Sequence, residues 1–132
     1  MKKINWLPRH ISAPAPYMCL CLSEDEYLAA FKYMDVKPRD EWIKTPQAHA
    51  TTHFLRNKRN DLAVVVCLSG YEDRTPIEVV GLIIHEVVHI WQEWCAYYGE
   101  THPASEQEAY AIQQLSQTLM EEFERRINGK RR

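Results

Sequence analysis

Thr75-Pro76-Ile77-Glu78-Val79-Val80-Gly81-Leu82-Ile83-Ile84-His85-Glu86-Val87-Val88-His89-Ile90-Trp91 decides how this chain is read. Thr75 and Glu78 have the spacing of a capping box, and Pro76 stands at the first helical position, where a missing N–H is harmless. The apolar residues that follow, through Trp94, cover nearly every face and predict a buried helix. His85 and His89 are one turn apart on one side of it, so both imidazoles can bind a single metal ion. Glu86 projects beside that position, where its carboxylate can take a proton from a bound water. Imidazole and carboxylate donors in an incomplete shell suit one zinc ion, whereas structural zinc sites usually fill their shell with cysteine. The competing reading is a chance pair of core histidines. Metal binding is the stronger reading, because it satisfies all three polar side chains of a buried helix at once.

Working outward, 132 residues without internal repeats predict a single domain, 1–132, with a core that needs no staples. The formal charge of −2 gives no reason to expect nucleic acid or an anionic membrane as partner. Cys19, Cys21, Cys67 and Cys95 make no CxxC pair and read as small buried apolar residues. Asn5, Pro8, Arg9 and His10 break any signal-peptide core, and no stretch approaches the ~18 apolar residues of a membrane span. A reduced, cytoplasmic protein is expected.

Pro8, Pro14 and Pro16 mark 1–22 as an irregular N-terminal arm. Ser23 and Glu26 have capping-box spacing and open a helix through about Met34, with Leu28, Phe31 and Met34 inward. His49 to Leu55 and Leu62 to Leu68 have strand composition and flank the polar stretch Arg56 to Asp61, which predicts an antiparallel hairpin. Gly99 stands where a helix C-cap belongs. A last helix is predicted from Ser105 to Ile127, with an inward stripe of Ile112, Leu115, Leu119, Phe123 and Ile127. Residues 128–132 read as a frayed basic tail. The expected class is α+β, a small antiparallel β-hairpin or sheet packed on the HExxH helix and on a C-terminal, glutamate-bearing helix.

Two histidines alone bind zinc weakly, so a third ligand should lie downstream, and Glu106 and Glu108 are the candidates. Here the chain resembles the zincin metallopeptidases, in the small single-domain gluzincin branch known from bacterial and phage proteins. The resemblance spans about Leu62 to Leu119. It rests on His85-Glu86-Val87-Val88-His89 and on Glu106-Gln107-Glu108-Ala109-Tyr110, where a ligand glutamate precedes an alanine by three residues. It implies Glu106 as third ligand. The possible Ser105/Glu108 capping box supports this by drawing Glu108 away. Periodicity supports Glu108, which lies about 40° from Ile112 on the helical wheel against about 120° for Glu106. The metzincin spacing is absent, and His102 is a minor further candidate that reads better as a surface loop histidine.

Tyr110 stands where that branch often has an aspartate that orients a ligand histidine; it takes such a role, reaches the bound substrate oxygen, or packs on Trp91. Either strand of the hairpin could pair with extended substrate, and His53 is a lone histidine that could stabilise an oxyanion or sit partly exposed on its strand. The resemblance implies zinc-dependent peptide hydrolysis, with His85, His89 and Glu106 holding zinc and Glu86 as general base. The alternative is a zinc-stabilised protein-interaction module without catalysis. A nucleic-acid-associated protease, resting only on the basic residues near the C-terminus, is the weakest reading.

Overall fold

Leu62–Leu68, all seven residues buried, forms the central strand of a three-stranded sheet. The computed structural model describes residues 2–9, 16–45 and 47–131, with side chains described through Gly129. In chain order the elements are β1 (Tyr17–Cys21), α1 (Glu24–Met34), β2 (Ala50–Arg56), β3 (Leu62–Leu68), α2 (Pro76–Tyr98) and α3 (Ser105–Arg131). The class is α+β, as expected. The sheet is mixed, because β1 adds to the β2–β3 hairpin in parallel with β3, in the order β1-β3-β2.

That third strand corrects the reading of 1–22 as an irregular arm. Met18 and Leu20 enter one core while Cys19 and Cys21 enter the other. A strand buried on both faces carries no polar alternation to betray it. Upstream, the Leu7 N–H donates to the Met18 carbonyl at 3.0 Å and ties the arm to the strand. Pro14 and its neighbours from 10 to 15 lie outside the described residues.

The sheet separates two cores. On one face Leu62, Val64, Val66 and Leu68 meet Val79, Ile83, Val87 and Ile90 of α2 and Leu115 and Leu119 of α3. On the other, Ala63, Val65 and Cys67 meet Tyr27, Ala30, Phe31 and Met34 of α1. Fully burying a valine, leucine or isoleucine side chain stabilises by about 1.5–3 kcal/mol, so each layer is fastened mainly by area. Leu28, expected inward, is exposed, and Tyr27 takes the inward place. All four cysteines are buried and unpaired, as expected.

Helix α2 begins as its sequence predicts. The Thr75 hydroxyl accepts from the Glu78 N–H at 3.2 Å, and the Glu78 carboxylate accepts from the Thr75 N–H at 3.0 Å. Gly99 ends the helix at φ 70°, the left-handed conformation that favours glycine. The helix is not buried all round, however. Ile77, Val80 and Ile84 are exposed, because α2 lies on the outside of a layer and only its sheet-facing side is enclosed.

Helix α3 carries the predicted stripe, with Leu115 and Leu119 buried and Ile112, Phe123 and Ile127 packed against them. Its backbone is helical through Arg131, and Arg132 lies outside the described residues. Among the described residues no helix is long and apolar enough to cross a membrane.

Candidate metal centre

The Nε2 atoms of His85 and His89 stand 3.2 Å apart, with the ring centroids 4.9 Å apart. That distance serves a hydrogen bond between one protonated and one bare nitrogen. It also matches two ligands across a tetrahedral ion, since Zn–N bonds of about 2.0–2.1 Å put the nitrogens about 3.3 Å apart. A second contact bears on which nitrogen of His89 is free. The Gln92 side-chain carbonyl lies 3.3 Å from His89 Nδ1, a contact that favours the tautomer with the proton on Nδ1 and leaves Nε2 as the metal donor. The donor pair therefore fits a zinc ion.

Both histidines are exposed, which corrects the expectation of a buried histidine pair. Glu86 is the buried member, 7% exposed, because its side chain turns from the solvent face toward the sheet. Its Oε2 is 3.9 Å from His85 Nε2, and its Oε1 accepts from the Thr52 hydroxyl at 2.8 Å. A buried carboxylate needs such a donor, since leaving it unpaired costs far more than an ordinary lost hydrogen bond. Neither Thr52 nor Gln92 has a sequence signature. Gln92 could have been guessed from its position three residues after His89, on the same helix face.

The partner strand is fixed by the ladder register. The His49 carbonyl accepts from the Ser69 N–H, and the Asn57 N–H donates to the Asp61 carbonyl, each at 3.0 Å. Antiparallel ladders bond every second residue, so Thr51, His53 and Leu55 bond to β3, and the backbone groups of Ala50, Thr52 and Phe54 face the free edge. Of the two strands proposed for substrate, Leu62–Leu68 is central and enclosed on both sides. Among the described strands, β2 is the one that offers an edge beside the histidines. A cavity of about 310 Å³ lies between them, lined by Lys44, Thr45, Thr52, His85, Glu86 and His89 among others.

His53 is on the opposite face of β2. It is buried, its Nε2 is 3.0 Å from the Trp42 carbonyl, and its ring packs on Tyr27 and Phe31. It is neither partly exposed nor directed at the histidine pair. Tyr110 and His102 are exposed.

The structure does not bring Glu106 to the histidines. Glu106 is exposed, and among the described residues no three His, Cys, Asp or Glu side chains are gathered so as to hold a metal. Glu108 instead turns toward α2, where its Oε2 accepts from Trp91 Nε1 at 2.8 Å. Ser105 already belongs to the helix, and Glu108 pairs with Trp91, so the expected Ser105/Glu108 capping box is corrected. Periodicity described this helix better than the capping argument. Glu106, about 160° round the helix from Glu108, faces away from α2. Comparison with protein-family models, with curated proteins and with solved structures finds no match for the chain.

Proposed function

We propose that the chain is a zinc-dependent hydrolase of peptide bonds, with His85 and His89 holding the ion and Glu86 as general base. The observation that carries the reading is the pair of converging Nε2 atoms beside a buried, oriented carboxylate. Zinc bound there would supply Lewis acidity and lower the pKa of a water toward ~7. Glu86 would take that water's proton and return it to the leaving amine. Thr52 holds one oxygen of Glu86 and leaves the other toward His85, so the carboxylate is oriented before substrate arrives. The free edge of β2 offers backbone donors and acceptors to an extended peptide, placing it across the cavity by strand addition. Glu106 is retained as the proposed third ligand on the resemblance alone. The free, buried thiols support a reducing, cytoplasmic setting.

The test is zinc stoichiometry of the purified chain, followed by peptide-library cleavage with a chelator control, in the parent and in Glu86→Gln. Glutamine keeps the shape but cannot take the proton, so zinc should stay bound while hydrolysis falls by roughly 10²–10⁴. Zinc binding without hydrolysis in the parent would move the reading to an interaction module. Full activity in Glu86→Gln would refute the mechanism.

A further inference from the structure

Of two cavities beside β2, the one at the histidines is the smaller. A groove of about 540 Å³ runs along the edge of β2 past Thr51–Arg56, lined by α1 and the segment after it on one side and by Glu93 of α2 on the other. It continues into the histidine cavity, for the two share Lys44, Thr51, Thr52 and Phe54. Four cations line the groove, Lys37, Arg39, Lys44 and Arg56, against two carboxylates, Asp40 and Glu93. All four cations are exposed, and among the described residues no ion pair engages them. The Arg56 guanidinium lies 4.0 Å over the Tyr97 ring, a contact that leaves its charge available. The whole chain has a formal charge of −2, so this positive lining runs against the overall balance.

We propose that this groove selects acidic peptides, so that the substrate is an extended segment carrying Asp or Glu side chains near the bond to be cut. The inference rests on the hydrolase reading and narrows it. Two features of the groove combine in the argument. The outward N–H and C=O groups of Ala50, Thr52 and Phe54 repeat at strand spacing, which a peptide backbone matches. The cations beside them supply sign but no sequence motif. They would steer and retain carboxylates, and would repel a lysine-rich segment. A nucleic acid would meet the charge but has no backbone to continue the ladder, so a peptide is the better fit.

Matched fluorogenic peptides with acidic, amide or lysine flanks test this on the zinc-loaded full chain. An exposed charge pair is worth about two- to fivefold, so several together should favour the acidic peptide over the amide one by about tenfold in kcat/KM. The preference should shrink in ~1 M salt, where the Debye length falls to about 3 Å. Lys37→Glu/Arg39→Glu/Lys44→Glu, all at exposed positions, should reverse it and favour the lysine peptide, with circular dichroism confirming that the fold is kept.

A second measurement does not depend on turnover: fluorescence-anisotropy titration of the same peptides into Glu86→Gln. Acidic preference in Kd that the triple substitution abolishes supports the groove even where the parent cuts nothing, and the failure then belongs to the hydrolase reading. Three results overturn the inference: equal cleavage or binding of acidic and amide peptides, a preference unmoved by the triple substitution, or tighter binding of a single-stranded oligonucleotide of equal charge.

Discussion

The Thr52 hydroxyl donates to Glu86 Oε1 at 2.8 Å across 34 residues of sequence, joining the exposed edge of the sheet to the helix that carries both histidines. Through this bond the strand proposed to hold substrate also orients the proposed base. On that proposal, one backbone would set both the substrate and the base.

Thr52→Val keeps the branched shape and removes the donor, leaving one oxygen of a buried carboxylate unpaired. Stability should fall by about 1–3 kcal/mol, the cost of an orphaned buried polar group. Thr52→Ser should recover most of that loss. Thermal melts of the three proteins check the ranking, and a Val variant as stable as the parent would show the bond to be dispensable. The cleavage rate should follow the same order.

His85→Ala and His89→Ala should each abolish stoichiometric zinc binding, read by metal analysis and by competition with a chromophoric chelator. Gln92→Ala should weaken zinc by roughly 10–100-fold while leaving it measurable, because Gln92 acts on the metal only through His89. Zinc affinity unchanged in both histidine variants would dismiss the site.

The two glutamates of the first turn of α3 separate cleanly. Glu108→Ala should cost about 1 kcal/mol by removing the acceptor of Trp91 Nε1, with a change in tryptophan fluorescence. Glu106→Ala should leave stability within ~0.5 kcal/mol, as an exposed helix substitution does, and should weaken zinc strongly if it is the third ligand. Unchanged zinc affinity in Glu106→Ala would end that assignment.

Tyr27 gives a prediction in pH. Burial pushes its phenol up to about 12, with nearby acidic groups adding to the rise, and its hydroxyl donates to the Asp40 carbonyl at 2.6 Å. The protonated form is thus favoured by folding. Its contribution is whole below the unfolded value near ~10 and is lost as pH climbs through about 12. Tyr27→Phe should be less stable at neutral pH by about 1 kcal/mol, yet lose less stability between pH ~10 and ~12. Denaturant unfolding at both ends of that window measures it.

How much was legible in the sequence follows from range. Short-range signals read correctly: the Thr75/Glu78 capping box, Gly99 as C-cap, the hairpin and the stripe on α3 all concern residues within a few turns of each other. The HExxH spacing likewise placed two Nε2 atoms together, since four residues make nearly one turn. What failed depended on layers. Tyr17–Cys21 hid as a strand because two helical layers cover both its faces. Leu28 and the Val80 and Ile84 face of α2 read as core because composition does not say which side of a helix meets the sheet. Thr52 could not be found at all, because nothing local marks a threonine that closes a contact 34 residues away.

The register of the β2–β3 hairpin has a consequence for how this chain can vary. Side chains alternate along a strand, so Thr52 reaches Glu86 only while odd-numbered residues of β2 hold the ladder. Deleting one residue between Thr52 and the turn would send its hydroxyl into the α1 layer and bring a neighbour to Glu86. Lengthening the turn between Arg56 and Leu62 leaves that parity untouched, because both ends of the ladder stay where they are. The turn is therefore free to drift in length across descendants of this sequence, whereas β2, Thr52 apart, can change its letters but not its count.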